Sequence, residues 1–233
     1  MELLVPAFQV EIRYNHILNF SQIAREILSP YVKLSQSIKI ENQNTLHEKV
    51  ILNFEEENYT ITANWDRLIF RGQGSLEKYY ANNSAIEMPF FSILEKFKEL
   101  SVFGSVQNIL IAVNFLTKIE SNKEELLKLF KERYLTDASN KILTQDYNDI
   151  AITLEKREEN NELSISFGPY FGFNDLLTRH VLPVNLESIK QEMDFMGILI
   201  EYKCFEKCND IDFSKFKSLM NSATKTANKI WKH

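Results

Sequence analysis

Apolar and polar residues alternate along several stretches of the chain, and a period of two residues is typical of half-buried β-strands. In the first half this pattern predicts a strand at Ala7–Tyr14, a hairpin of Lys49–Phe54 and Tyr59–Ala63, and a third strand at Leu68–Arg71. The hairpin and the strand that follows it form an antiparallel meander. Ile109–Leu116 is apolar at nearly every position, which indicates a strand at the centre of a sheet.

The same alternation returns in the second half of the chain. Ile150–Leu154 and Leu163–Phe167 alternate on either side of a polar turn at Glu158–Asn161, and this arrangement predicts a second hairpin. Phe195–Phe205 is then expected to form a long strand.

Other segments repeat apolar residues every three to four positions, as amphipathic helices do. Glu124 completes a capping box for one of them, and Pro30 is expected to end the first. The last helix continues to Trp231 with one apolar stripe along its length. The helices are predicted to open near Ser21, Pro89, Ser121, Asn185 and Phe213.

Hairpins dominate this order, and helices do not alternate strictly with strands. The sequence therefore predicts an α+β protein with a mainly antiparallel sheet of meander and hairpin units, helices packed on one face, and a long C-terminal helix. We expect one compact domain over residues 1–233. A polar stretch at Tyr134–Tyr147 could link two related halves, about 1–134 and 147–233, and either one shared sheet or two adjacent sheets fits this pattern.

Composition narrows the class of protein. The 233 residues are 44% hydrophobic and 25% charged, as in an ordinary globular protein. Cys204 and Cys208 are the only cysteines, so no disulfide framework is indicated and a reducing compartment is favoured. The first ten residues do not resemble a signal peptide, and no apolar run approaches the roughly 20 residues of a membrane span. We expect a cytoplasmic protein without membrane association.

The net charge of −5 is unevenly distributed, because Phe213–His233 contains five lysines and no acidic residue. Lysines near a helix C-terminus complement the helix dipole and need no further function. Lys225 and Lys229 could also dock on an acidic patch of a partner or sister subunit, or contact nucleic-acid phosphates. The polar side of this helix lacks the aromatic residues that stack on bases, which disfavours nucleic acid as the partner.

Three segments carry a resemblance to a known family: Glu11-Ile12-Arg13-Tyr14, Ile111–Ile119, and Asp210–Phe213 with the Asn228 and Trp231 of the final helix. They resemble a sporadically distributed family of uncharacterised bacterial proteins of about this length. Asn114 stands where that family tends to have arginine, so a role for that charge does not carry over. The resemblance implies a horizontally moving bacterial gene near mobile or defence loci, and it brings no activity and no catalytic residues.

Glu201 and Lys203 follow an apolar strand, and this Glu-x-Lys pattern resembles that of metal-dependent nucleases of the PD-(D/E)xK kind. In such enzymes the carboxylate binds Mg²⁺, and the lysine assists the attacking water and the phosphate. The chemistry also requires an aspartate on the neighbouring strand, and Leu163–Phe167 has none. The same pattern occurs on the solvent face of any amphipathic strand, so both interpretations stay open.

The loop around Tyr170, Phe171 and Phe173 is the most unusual in the chain. Aromatic residues are enriched in the cores of protein interfaces, so this loop could present a partner-binding patch. Arg179 follows closely and could add a polar contact. Alternatively, the aromatic residues fold back onto the core.

No motif for catalysis, metal binding or phosphate binding occurs, and we predict neither a cofactor nor a metal site. The leading hypothesis is a non-enzymatic binding or regulatory protein that engages another protein, with self-association as a further possibility. Its candidate residues are Tyr170, Phe171, Phe173, Arg179, Lys225 and Lys229. The alternative is an Mg²⁺-dependent nuclease that uses Glu201 and Lys203, and a small-molecule pocket between sheet and helices is a third possibility.

Overall fold

The computed structural model describes residues 3–81, 84–136, 139 and 149–232. Within them the strands are β1 (Leu4–Tyr14), β2 (Ser37–Glu41), β3 (Lys49–Phe54), β4 (Tyr59–Asn64), β5 (Arg67–Gly72), β6 (Val106–Lys118), β7 (Ile152–Glu158), β8 (Asn161–Tyr170) and β9 (Gly197–Lys207). They form one nine-stranded sheet in the order β2-β3-β4-β5-β1-β6-β9-β8-β7, and every neighbouring pair is antiparallel. The predicted α+β class and the central position of β6 are confirmed.

The described helices are α1 (Phe20–Val32), α2 (Glu77–Tyr80), α3 (Ser92–Lys98), α4 (Lys123–Tyr134), α5 (Phe173–Leu176), α6 (Leu186–Ile189) and α7 (Phe213–Lys232). The predicted long C-terminal helix is therefore present as α7. None of these helices is long and apolar enough to cross a membrane.

Most helices cover the same side of the sheet, which we call the helix face. Successive side chains of a strand point to opposite faces, so Phe8, Val10, Ile12 and Tyr14 of β1 all point to this side. There they join the main core, which α1, α3, α4 and α7 complete from above. Its largest fully buried side chains include Phe8, Phe70, Phe90, Phe97, Phe130 and Phe216.

The opposite side of the sheet, which we call the open face, is covered at one end by the segment 171–196. This segment contains α5 and α6, and it buries a second small core against β6, β8 and β9. That core consists of Leu116, Tyr170, Phe173, Leu176, Ile189, Met193 and Leu199. Packing of short helices on this side was not predicted, because no periodic apolar pattern extends through the segment.

One strand, the end of one helix and the start of another differ from the sequence prediction. β2 was missed, because its alternation is limited to Ile38 and Ile40 between polar stretches. Pro30 lies inside the last turn of α1 rather than ending the helix. Proline has no N–H group, so the carbonyl of Glu26 lacks its usual hydrogen bond within the helix. Glu26 is exposed. The helix predicted near Pro89 begins at Ser92, after an irregular turn with a cis Met88–Pro89 bond.

Helix capping was predicted correctly at one position and misplaced by one residue at another. Asn185 caps α6, since its side chain accepts a 3.1 Å hydrogen bond from the backbone N–H of Ser188. The capping box of α4 is formed by Asn122 and Glu125, not by the predicted pair one residue earlier. The Asn122 side chain accepts from the Glu125 N–H at 3.0 Å, and the Glu125 carboxylate accepts from the Asn122 N–H at 3.2 Å.

The two predicted halves of the chain meet in the pairing of β6 with β9. The register runs from Asn108 opposite Lys207 to Lys118 opposite Gly197, so both halves contribute to one sheet. Much of the predicted linker at Tyr134–Tyr147 lies outside the described residues.

Candidate functional site

Two of the three predicted aromatic binding residues lie in the interior. Tyr170 is fully buried, and its hydroxyl donates a 2.6 Å hydrogen bond to the carbonyl of Met193. Phe173 is buried in the same small core. Phe171 is half-buried, with the ammonium of Lys123 4.9 Å from the centre of its ring. The structure thus agrees with the alternative that Tyr170 and Phe173 fold back onto the core.

Arg179 forms an ion pair with Glu201, at 3.3 Å between Nη1 and Oε2, and its Nε donates to the carbonyl of Asp175. On the sheet, Glu201 lies between Asn114 of β6 and Ser166 of β8, so its strand neighbours bring no second carboxylate. Among the described residues, no group of three histidine, cysteine, aspartate or glutamate side chains could hold a metal ion. The geometry of this part of the chain therefore gives the nuclease hypothesis no support.

Lys203 is exposed on the open face, two residues beyond Glu201. Lys225 and Lys229 are exposed on α7, which packs on the helix face. The structure consequently separates these lysines of α7 from the aromatic loop instead of joining them in one patch.

A cleft of about 780 Å³ lies at the end of the sheet where β1 begins. Its floor includes Leu4, Val5 and Phe115. One wall is α7, the second is residues 188–193, and the third is residues 73–78 together with Asn58. The cleft therefore unites segments that are far apart in the sequence.

Gln73 fixes two walls of the cleft relative to each other. It is only 2% exposed, and its side-chain carbonyl accepts a 2.8 Å hydrogen bond from the backbone N–H of Asn185. Its amide donates to the hydroxyl of Ser188 at 2.9 Å. Because the N–H of Gly74 also donates to the carbonyl of Val5 at 2.9 Å, the third wall is tied to the floor as well. The cleft is thus pre-formed by hydrogen bonds.

α7 presents a polar row to the cleft at spacings of three and four residues: Asn221, Thr224 and Asn228. Its apolar row, which includes Met220, is buried in the main core. The hydroxyl of Thr224 donates to the helix backbone, as does the amide of Asn228. Within the described part of the chain, no hydrogen bond occupies the side chain of Asn221 or the carbonyl oxygen of Asn228. These groups can therefore bind a ligand.

Lys78 brings a positive charge to the mouth of the cleft. Its ammonium donates a 3.0 Å hydrogen bond to the carbonyl of Glu57 and lies 4.6 Å from the centre of the Tyr79 ring. Burial lowers the pKa of this amine, and the negative charge of Glu57 opposes that effect in part. The carboxylates of Glu77 and Glu192 also line the cleft.

The Glu11-Ile12-Arg13-Tyr14 segment has a structural role that its sequence did not reveal. Glu11 is buried on the open face, where its carboxylate accepts hydrogen bonds from Arg13 at 2.7 Å and from Arg67 at 3.0 Å. Tyr14 points to the helix face, and its hydroxyl donates to the carbonyl of Asn64 at 2.7 Å. The segment therefore ties β1 to β5 on the open face and to the end of β4 on the helix face.

Arg67 also forms a two-point ion pair with Asp66, with nitrogen–oxygen distances of 3.0 and 2.8 Å. Burial alone would raise the pKa of Asp66, but the hydrogen bond and charge of Arg67 outweigh it, so the pKa is lowered. A carboxyl group whose pKa is lowered by folding adds stability above its unfolded pKa, and this stability is lost as the pH falls through the folded pKa.

We expect Arg67→Gln to lower the free energy of unfolding at neutral pH, and the difference from the unsubstituted protein to shrink as Asp66 becomes protonated. Urea unfolding between about pH 3 and pH 7 measures this difference. Arg157→Gln is the control, because Arg157 pairs with Glu155 on the exposed strand β7 at 3.5 Å. A pH-independent loss in Arg67→Gln would contradict the expected linkage.

The sequence interpretation missed the cleft residues, Lys78 and Asn221 among them. One local signal was available, since the polar row on α7 lies opposite its apolar row. Asn228 belongs both to this row and to the segments that resemble the bacterial family. Comparison with known proteins finds no family model and no curated protein that matches this chain, so the resemblance remains a prediction.

Proposed function

We propose that this chain is a non-enzymatic binding protein that holds an extended segment of another protein in the cleft beside α7. The observation that carries the proposal is the arrangement of Asn221 and Asn228 above an apolar floor in a cleft of about 780 Å³. Ligand pockets commonly have volumes of roughly 300–1,000 Å³ and combine apolar walls with a few polar groups.

The spacing of the two asparagines fits an extended peptide backbone. Seven residues along a helix span about 10.5 Å. In an extended polyproline II segment, equivalent groups recur every three residues at a rise of about 3.1 Å per residue, which places them about 9.3 Å apart, so Asn221 and Asn228 match groups one turn apart. A carboxamide both donates and accepts hydrogen bonds, which suits the N–H and C=O groups of a backbone without selecting a particular side chain.

The floor provides the apolar part of the recognition. Leu3, Val5 and Phe115, which pack together on the helix face, line the cleft and would contact one apolar side chain of the bound segment. Burying such a side chain contributes about 1.5–3 kcal/mol. The walls are already held by Gln73, so little ordering would oppose binding.

The charges at the mouth indicate which segments are preferred. Lys78 contributes one ammonium, whereas Glu77 and Glu192 contribute two carboxylates. A neutral or mildly basic segment therefore suits the mouth better than an acidic one.

Selection from a random peptide library on the purified protein tests the proposal, with affinities measured by fluorescence polarisation. We expect the selected peptides to share one apolar position, and Asn221→Ala to weaken binding about two- to tenfold, since one hydrogen bond contributes roughly 0.5–1.5 kcal/mol. Ser75→Trp should abolish binding by filling the cleft, because Ser75 is exposed and lines it.

Lys225→Ala and Lys229→Ala are the matched controls on the same helix, and they should bind the peptides with unchanged affinity. The proposal is overturned if no peptide is selected or if Ser75→Trp binds as well as the unsubstituted protein. Native mass spectrometry gives a further outcome that overturns it: a small molecule that is bound to the unsubstituted protein and to the lysine variants but absent from Ser75→Trp. The cleft would then be a small-molecule site.

A further inference from the structure

The outer strand β2 is exposed on both of its faces. Ser37, Ile38, Lys39 and Ile40 are all exposed, and Glu41 is partly so. Ile38 and Ile40 retain 44% and 38% exposure, although they lie opposite Leu52 and Val50 of β3 and so point to the helix face. An edge strand with exposed apolar side chains is a template for pairing with another strand.

The opposite edge of the sheet is protected in a way that β2 is not. β7 carries four consecutive charged residues, Glu155 to Glu158, which discourage pairing at an edge. β2 contains no proline and only two charges, Lys39 and Glu41. Both charges point to the open face, and the Lys39 ammonium lies 2.7 Å from the Glu41 carboxylate.

We propose that two copies of this chain pair through β2, antiparallel, about a two-fold axis at Ile40. In this register Lys39 of one copy lies opposite Glu41 of the second, and the reverse pair forms on the other side of the axis. Two ammonium groups and two carboxylates then alternate on the open face. The two Ile40 side chains meet on the helix face, so one interface covers Ile40 and pairs the charges.

The charges also select this register over its nearest alternative. An axis at Lys39 would place the two Lys39 side chains directly opposite each other, and like charges in that position are destabilising. The axis at Ile40 keeps each Glu41 close to the Lys39 of both copies. Asn42 has a positive φ of 52°, so the chain turns away after a short pairing. The result is a continuous sheet through both copies.

Sedimentation velocity over a concentration series from low micromolar upward tests the proposal. We expect a reversible dimer whose dissociation constant rises at least tenfold in Lys39→Glu, because this change places two carboxylates opposite each other. The charge-swapped double variant Lys39→Glu with Glu41→Lys should return the dissociation constant to within about threefold of the original.

Lys156→Glu is the matched control, since Lys156 and Glu158 form the same kind of pair on β7, at 2.6 Å. It should leave the dimer intact. Thermal unfolding of each variant separates loss of pairing from loss of folding. A chain that stays monomeric throughout the series overturns the proposal, as does a dimer that Lys39→Glu does not weaken. Peptide binding in the cleft is measured separately, so either proposal can fail alone.

Discussion

Phe8→Ala is expected to lower the free energy of unfolding by about 3–5 kcal/mol. The Phe8 ring is fully buried, with its centre 5.6 Å from that of Phe70 and 4.9 Å from that of Tyr79. It also lies directly over Gly72 of β5, where no side chain could fill the space left by its removal. Urea unfolding followed by circular dichroism measures the change.

Leu18→Ala is the control for this substitution. Leu18 is 75% exposed, so its removal should alter the free energy of unfolding by no more than about 0.5 kcal/mol. A loss in Phe8→Ala as small as that of the control would mean that the helices do not cover this face of β1.

Gly197→Ala is expected to destabilise the protein by about 3 kcal/mol, because overpacking cannot be relieved at this position. A Cβ atom on Gly197 would overlap the carbonyl of Thr117 in β6. That carbonyl belongs to the backbone of the adjacent strand, so it can move only if the pairing of β6 with β9 is disturbed. Thermal and urea unfolding of the purified variant measure the loss.

Gly74→Ala separates this effect from the general cost of replacing glycine. Its new methyl group would meet only the Lys78 ammonium, at 3.8 Å, but its φ of +89° is unfavourable for alanine. We expect a loss of about 1–2 kcal/mol, clearly less than that of Gly197→Ala. Equal losses in the two variants would show that the strand pairing yields to the new methyl group.

The central strands could be predicted because each obeys a local rule. Apolar and polar residues alternate with a period of two in β1 and in the β3–β4 hairpin. In these strands the side chains that point to the helix face are buried. β6 is apolar almost throughout, since one end is covered on both faces. β2 escaped prediction because an edge strand needs few buried residues, and only Ile38 and Ile40 mark it.

The cleft could not be predicted in the same way, because it depends on how distant segments pack. Phe115 and Lys78 have ordinary sequence contexts, and only the fold brings them together with α7. The aromatic loop misled the interpretation for the opposite reason. Tyr170 and Phe173 form a conspicuous local pattern, yet their side chains are needed to bury the small core on the open face.

The pairing of β6 with β9 also has a consequence for synthesis on the ribosome. β6 emerges with β1 already available on one side, but its partner on the other side begins only at Gly197. Residues 119–196 must be translated first, which takes about 4–16 s at roughly 5–20 residues per second. Throughout that interval the nascent chain presents an apolar strand without its second neighbour. We therefore expect slower translation to lengthen the exposure of this strand and to increase its capture by chaperones.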